Sequence, residues 1–247
     1  MFINKNFLWQ KITEANNLQL TIKFNTQYDI EQLQKETNEI FIKYSAKEQY
    51  GSYHKGGWNG ICLHSANGDY TQDKLVKNAK YQKTEVLKSA PYIESIIDSF
   101  ECDKLRIRIM ELQTNKNIYW HYDGTDSLDE VTARLHIPIY TNPKVLFQIS
   151  HENCYWREGE LWYGDFSFPH RLFNGWDKNR VHIIMDLVVN DKVKKMFPHE
   201  YVQLKEKRLT IKKQVHNAFA IYNGPRKVIQ AIQQPKRIIQ KIKEFLI

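Results

Sequence analysis

His121 and Asp123 stand two positions apart in the sequence WHYD, and a β-strand would present both side chains on the same face. A metal site built on this pair needs a third ligand from elsewhere, and His170 in SFPHRLFNG is the leading candidate. Two imidazoles and one carboxylate on one side of a metal leave open positions on the other, as non-haem Fe(II) oxygenases require. The alternative is a surface histidine, a loop aspartate and a core histidine.

Arg180 follows His170 by ten residues and extends this pattern. A dicarboxylate co-substrate that chelates iron needs an anchor for its distant carboxylate. Arginine suits that task because its planar guanidinium donates two parallel hydrogen bonds and stays charged when buried. The turn FNGWDKN would bring Arg180 back beside the site, although an ordinary strand arginine fits the same position.

Six strand-like runs surround these residues, and turn sequences such as TNPK, REGE and NGWDKN separate them. Short strands at this spacing, without intervening helices, predict an antiparallel sandwich or barrel. The runs cover residues 104–112, 117–123, 133–141, 145–150, 160–166 and 180–189.

The last of these runs, RVHIIMDLVV, alternates between two kinds of face. One face is wholly apolar, whereas the other carries Arg180, His182, Ile184 and Asp186. In a simple sandwich the polar face would lie outside. In a jelly roll with a pocket, polar side chains line the interior and helices cover the apolar outer face. The candidate site favours this second arrangement.

The first hundred residues contain helices that would provide such a cover. DIEQLQKETNEIFIKY (29–44) begins with Asp29 as a helix cap, and PYIESIIDSF (91–100) has proline at its start. LQLTIKF (18–24) alternates as a strand, and residues 50–69 indicate a glycine- and aromatic-rich loop around a short strand. We therefore expect one domain over 1–191, with a mixed part, 1–100, and a mainly β, double-stranded β-helix (jelly-roll or cupin-like) core, 101–191.

Charge is distributed unevenly along the 247 residues, of which 36 are Lys or Arg and 28 are Asp or Glu. The formal net charge is +8, but residues 192–247 alone carry +11 and residues 1–191 carry −3. The basicity therefore belongs to a C-terminal extension, and it does not indicate a specific nucleic-acid partner for the candidate site.

Cysteine usage and hydropathy indicate a cytoplasmic protein. Three widely spaced cysteines without a CxxC motif argue against a disulfide framework and against a thiolate zinc site. We find no apolar signal-peptide core and no run of eighteen apolar residues, so we expect neither export nor a spanning helix.

Two imperfect ten-residue units, PRKVIQAIQQ (225–234) and PKRIIQKIKE (235–244), form the end of the basic extension. Each unit has proline, then two basic residues, then spaced apolar residues, which predicts short amphipathic helices kinked at Pro235. Such helices would either pack on the domain or on a second copy, or contact an anionic membrane surface or an acidic partner through 225–247.

Over roughly residues 100–190 the sequence resembles the aspartyl/asparaginyl β-hydroxylase family of Fe(II)/2-oxoglutarate-dependent dioxygenases. The matching segments, in the same order and spacing, are HYD (121–123), RLHIPIYTNP (134–143), EGELWYGDFSFPHRLFN (158–174) and RVHIIMD (180–186). The first hundred residues are similar only through GGWNGICL, and the chain after about residue 195 does not resemble the family.

The resemblance implies roles for six residues. His121, Asp123 and His170 would bind Fe(II), and Arg180 would hold one carboxylate of 2-oxoglutarate. Arg134 and His136, which share a strand face, would approach the other end of the co-substrate. The complete HxD motif is similar to the bacterial proline-hydroxylase branch, because animal aspartyl hydroxylases have glycine at the position of Asp123.

Other polar and aromatic residues receive weaker interpretations. Trp58 and Tyr119 are candidates to line the substrate pocket, although core packing accounts for them equally well. Asp186 is interpreted as a structural partner. The acidic residues of GTDSLDE, namely Asp126, Asp129 and Glu130, are interpreted as solvated loop charges.

The implied activity is hydroxylation of an unactivated C–H bond with O₂ and 2-oxoglutarate, which gives succinate and CO₂. The first substrate choice is an Asp or Asn residue in a peptide. A free amino acid or an amino-acid unit of a natural product comes next, and the acyl chain of a lipid is third. The alternative from another class is a jelly roll that binds a metal or a small acid without catalysis.

Overall fold

The computed structural model of the protein describes residues 7–49, 51–76 and 78–233, the last nine of these as backbone only. The helices in these ranges are α1 (Leu8–Ala15), α2 (Ile30–Lys43), α3 (Glu85–Lys88), α4 (Pro91–Asp98), α5 (Asp191–Lys195), α6 (His199–Gln203) and α7 (Lys205–Gln233). The strands are β1 (Thr21–Gln27), β2 (Lys47–Glu48), β3 (Trp58–Ala66), β4 (Tyr81–Lys83), β5 (Lys104–Leu112), β6 (Asn117–His121), β7 (Thr132–Tyr140), β8 (Val145–Ile149), β9 (Glu152–Asn153), β10 (Glu160–Gly164), β11 (His170–Asn174) and β12 (Arg180–Val188).

The strands form two antiparallel sheets. The large sheet has the order β1-β10-β7-β12-β5-β3-β2, with β4 beside β3, and the small sheet has the order β6-β11-β8-β9. The six predicted runs are confirmed as strands, and β11, which begins at His170, is a further strand of the core. The expected mainly β, jelly-roll type of core is confirmed, and its two sheets are separate layers rather than one closed barrel.

The apolar face of β12 packs against the N-terminal helices. Val181, Ile183 and Met185 are buried in a core that also contains Leu33 of α2 and Ile93 of α4. Each such side chain contributes roughly 1.5–3 kcal/mol of burial free energy, so the cover is strongly favoured. The polar face of β12 consequently points toward the small sheet, as the jelly-roll arrangement predicts.

Helices α1 and α7 form a second core with the small sheet. Trp9 of α1 packs edge to face with Trp120 of β6 and with Phe219 of α7, at centroid distances of 5.8 and 5.0 Å. Ile211 and Val215 of α7 are buried in the same core. The C-terminal extension therefore packs on the sheets over at least part of its length.

The predicted repeat in the tail lies mostly beyond what the structure describes. Helix α7 runs through Pro225 and ends at Gln233, so the first unit continues this helix instead of starting a new one. The second unit and the kink at Pro235 lie outside the described residues. Across the described ranges, the helices lack the combination of length and apolar content that a membrane crossing requires.

Candidate metal and co-substrate site

His121, Asp123 and His170 converge in a pocket between the two sheets. One potential ligand atom from each residue lies within 4.8 Å of the other two. His121 Nε2 is 3.7 Å from Asp123 Oδ1, and the two imidazole centroids are 4.1 Å apart. The tertiary structure thus brings the three predicted ligands together, in a donor set that suits Fe(II) and leaves one side open.

A β-bulge in β6 turns His121 toward this pocket. His121 pairs with His170 and Ile118 pairs with Leu172, so β6 has one more residue than β11 between the two pairs. The extra residue reverses the alternation of side chains at that point. As a result Ile118 and His121 both line the pocket, although a regular strand would send them to opposite faces.

Backbone carbonyls fix the tautomer of both histidines. His121 Nδ1 lies 2.8 Å from the carbonyl oxygen of Tyr119, and His170 Nδ1 lies 3.0 Å from that of Phe168. A carbonyl oxygen only accepts hydrogen bonds, so each Nδ1 carries the proton and each Nε2 keeps its lone pair for a metal. Burial lowers the pKa of His121, and it lowers the pKa of His170 to about 3, which keeps both rings neutral.

Arg134 holds the second oxygen of Asp123. Its Nη1 donates to Asp123 Oδ2, its Nε donates to Asp186 Oδ1 at 2.6 Å, and its Nη2 lies 2.5 Å from Asp126 Oδ2. Burial alone would raise the pKa of Asp123, but the charge of Arg134 outweighs it and the pKa falls well below its usual range. Asp123 is therefore ionised, with Oδ1 left for a metal. Arg134, expected beside the co-substrate, is instead engaged with three carboxylates.

Asp186 is the shared acceptor of three arginines, which agrees with its interpretation as a structural partner. Besides Arg134, it accepts from Arg106 Nη2 at 3.0 Å and from Arg108 Nη2 at 3.4 Å. Burial would raise the pKa of Asp186, but the three positive charges lower it far below the usual value. This network fixes the guanidinium of Arg134, and through it the carboxylate of Asp123.

The prediction that the acidic residues of GTDSLDE are solvated loop charges is wrong for Asp126 and Asp129, whereas Glu130 is exposed. Asp126 is 5% exposed and forms an ion pair with Arg134. Asp129 pairs with Arg208 at 2.6 Å, and Glu130 pairs with Lys212 at 2.7 Å. Basic groups from distant parts of the chain pack over the loop and bury two of its three carboxylates.

Arg180 lies in the same pocket and is 3% exposed. Its Nη2 donates to His182 Nδ1 at 2.7 Å, its guanidinium carbon lies 5.4 Å from the Phe147 ring centroid, and its Nε has no hydrogen-bond partner. No carboxylate of the described chain forms an ion pair with it. Burial lowers the pKa of Arg180 to about 9, so the group is still charged at neutral pH. A buried cation without a counter-ion is unfavourable until an anion binds.

His136 lines the pocket beside Arg180 and is neutral. Its ring stacks on Phe166 at 4.9 Å, and its Nδ1 is 3.4 Å from His182 Nδ1. Burial, and next the charge of Arg180, lower the pKa of His136 well below its usual value. The buried Nε2 has no protein partner. His136 is thus able to hydrogen-bond a ligand but not to pair with its charge.

The pocket has a volume of about 790 Å³, which is within the range of small-molecule sites. Trp58 lines it as predicted, but the side chain of Tyr119 does not, and Tyr119 contributes its carbonyl to His121 instead. Basic side chains outnumber acidic ones along the wall. The basic residues are Lys47, Lys74, Arg106, Arg108, Arg134, Arg171 and Arg180, and the acidic ones are Glu48, Asp73, Asp123 and Asp126.

Several residues of the pocket were not identified from the sequence. Tyr53 stacks on the His121 imidazole, with centroids 3.9 Å apart and planes 5° from parallel. Arg106 and Arg108 both pair with Asp186, and Arg108 also pairs with Asp73 at 3.0 Å. The available signal was the spacing of two arginines on one face of the otherwise apolar run KLRIRIMEL. Nothing comparable marks Tyr53 within its aromatic loop.

Known proteins resemble this chain in sequence and in fold. L-proline cis-4-hydroxylase from Rhizobium meliloti (strain 1021) is 27% identical over 169 residues, which are 67% of this chain and 58% of that enzyme's length. A non-heme alpha ketoglutarate dependent carbocyclase, SnoK from nogalamycin biosynthesis, shares the fold with a TM-score of 0.50 and 8% identity, over 76% of this chain and 85% of that one. The sequence profile of the Aspartyl/Asparaginyl beta-hydroxylase family matches residues 25–189. The chain therefore belongs to the aspartyl/asparaginyl β-hydroxylase family.

Proposed function

We propose that this protein is an Fe(II)- and 2-oxoglutarate-dependent dioxygenase that hydroxylates an unactivated C–H bond of an amino-acid-derived substrate. One observation carries the proposal: a single pocket contains both a two-histidine, one-carboxylate group and a buried arginine without a carboxylate partner. The first fits a divalent metal and the second fits a carboxylate. 2-Oxoglutarate presents a chelating keto acid at one end and a carboxylate at the other.

The proposed roles follow from the contacts of each side chain. His121, Asp123 and His170 would hold Fe(II) through Nε2, Oδ1 and Nε2. When bound, iron would supply the oxidising chemistry by which O₂ converts 2-oxoglutarate to succinate and CO₂ and a substrate C–H to C–OH. Arg180 would hold the distant carboxylate of 2-oxoglutarate, and Phe147 beside it would exclude water. This chain thus contributes ligand orientation and a closed, preorganised environment.

Arg134 and His136 receive different roles in this proposal. Arg134 would act through Asp123, because its Nε, Nη1 and Nη2 atoms are bound to carboxylates of the protein. His136 lines the same pocket and its Nε2 has no protein partner, so we assign it a hydrogen bond to the co-substrate near Arg180.

The charge of the pocket supports a substrate that carries a carboxylate group. Seven basic against four acidic side chains line it, a poor match for the acyl chain of a lipid and a good match for a carboxylate. The similarity to an L-proline cis-4-hydroxylase points the same way. A free amino acid, with L-proline as the first to test, therefore moves ahead of an Asp or Asn residue in a peptide as the proposed substrate.

Anaerobic addition of Fe(II) and 2-oxoglutarate to the metal-free protein tests the enzyme proposal. We expect a weak visible charge-transfer band, and then succinate once O₂ and an amino acid are added. Mass spectrometry of a panel of free amino acids and of Asp- or Asn-containing peptides should detect a product with one added oxygen atom. Absence of both the band and succinate would favour a binding jelly roll without catalysis. A product only from peptides would return the substrate choice to peptidyl residues.

A further inference from the structure

Helix α7 lies outside the region that the family profile matches, residues 25–189, yet it contacts both loops that carry the candidate metal ligands. Three of its residues are four positions apart, so they occupy successive turns on one face. They are Arg208, Lys212 and His216. The neighbouring face, with Ile211, Val215 and Phe219, is buried in the second core and anchors the helix.

The first two residues of this stripe bind the loop that follows the metal pair. Arg208 forms a two-pronged ion pair with Asp129, through Nε at 2.6 Å and Nη2 at 2.7 Å, and both side chains are buried. Lys212 binds Glu130 at 2.7 Å. Fork-shaped pairs of this kind fix geometry as well as adding energy. They hold the loop between Asp123 and β7 at its far end.

His216 contacts the same loop at its near end. Its ring stacks on Tyr122, with centroids 4.1 Å apart and planes 15° from parallel. Tyr122 stands between His121 and Asp123 in the sequence, so this contact restrains the backbone segment that carries the metal pair.

His216 also binds the second loop. Its Nε2 lies 2.7 Å from the carbonyl oxygen of Ser167, which requires a proton on that nitrogen. The carbonyls on either side of Ser167 serve the metal ligands directly. That of Phe166 accepts the backbone N–H of Asp123, and that of Phe168 accepts from His170 Nδ1.

We propose that α7 is a positioning element for the metal site: Arg208, Lys212 and His216 hold the two ligand-bearing loops in their binding geometry without touching the metal. The inference rests on the proposed metal site and adds to it a dependence on a helix that the family profile does not include. Loops fixed in advance lose less conformational freedom when a metal binds, so releasing them weakens binding.

Two measurements test this role. One is the affinity of the protein for Mn(II), and the other is the rate of hydrogen exchange of the loop amides in the metal-free protein. His216→Ala removes the stacking and the hydrogen bond together, and we expect about tenfold weaker Mn(II) binding by electron paramagnetic resonance titration. His216→Phe keeps the stacking alone and should restore part of the affinity. Hydrogen exchange of the amides of residues 122–131 should accelerate in His216→Ala before any metal is added.

Two controls separate positioning from general stability. Leu87→Ala opens a cavity in the other core, away from α7, and Lys213→Ala alters an exposed residue of α7 itself. Both should bind Mn(II) as the unaltered protein does. Should His216→Ala fail to fold, the double variant Arg208→Gln/Asp129→Asn, which removes both charges together, takes its place with the same expected loss.

The outcomes distinguish this inference from the function on which it rests. If the unaltered protein does not bind Mn(II), the proposed metal site itself fails. If it binds Mn(II), and folded His216→Ala matches Leu87→Ala in both affinity and loop exchange, the metal site stands and the positioning role of α7 is overturned.

Discussion

Replacing Arg180 with methionine should stabilise the ligand-free protein and at the same time weaken co-substrate binding. Methionine has a similar length and no charge, so it fills the same space beside Phe147. Arg180 is buried and lacks an acidic partner, which makes its charge a cost to folding until an anion arrives.

The magnitude follows from the pKa of this group. Burial lowers it from 12.5 to about 9, and at 1.36 kcal/mol per pKa unit this corresponds to a cost of about 5 kcal/mol. The folded-state pKa lies below the unfolded one, so the charge opposes folding fully below about pH 9 and progressively less above it. Losing the hydrogen bond to His182 offsets roughly 1–2 kcal/mol. We expect a net gain of about 3–4 kcal/mol at neutral pH.

Urea unfolding of the metal-free protein measures the first effect, and calorimetric titration of the Mn(II)-loaded protein with 2-oxoglutarate measures the second. Loss of a buried charge partner should weaken 2-oxoglutarate binding roughly 30-fold or more. Arg180→Lys is the control, because it keeps the charge, gains no stability and loses the two-pronged contact. A variant Arg180→Met that unfolds at lower urea and binds 2-oxoglutarate normally would refute the reasoning.

Three further predictions concern acidic residues. Asp123→Ala should abolish Mn(II) binding in the paramagnetic resonance titration. The urea midpoint should change little, because Arg134 retains its ion pairs with two other carboxylates. Undiminished Mn(II) affinity would show that the ligand set is wrong. Asp186→Asn should lower the free energy of unfolding in urea by roughly 3–5 kcal/mol, because three arginines share that carboxylate. The control Asp191→Asn, at an exposed carboxylate, should leave the free energy of unfolding unchanged. Equal effects of the two substitutions would contradict the network. Burial raises the pKa of Asp165 from 3.8 to about 6, so the folded state binds this proton more tightly than the unfolded chain. The unaltered protein should therefore lose about 3 kcal/mol relative to Asp165→Asn as the pH rises from about 4 to about 6, and a stability difference constant with pH would exclude this effect.

The sequence alone determined the features that depend on local periodicity and on motif order. Alternation along β12 separated a face for the helices from a face for the pocket, and the structure has both. The cap at Asp29 and the apolar spacing after it predicted α2 to within one residue at each end. Family membership followed from the order of four short segments, and the sequence profile confirms it.

Only the tertiary structure decided which charges meet. Arg134 and Asp186 are 52 positions apart, and Asp129 and Arg208 are 79 apart, so no local pattern distinguishes these buried pairs from solvated ones. The bulge in β6 depends equally on its pairing with β11. Whether a charged side chain of a loop is solvated or buried depends on what packs over it, and in this protein much of that cover is a helix at the other end of the chain.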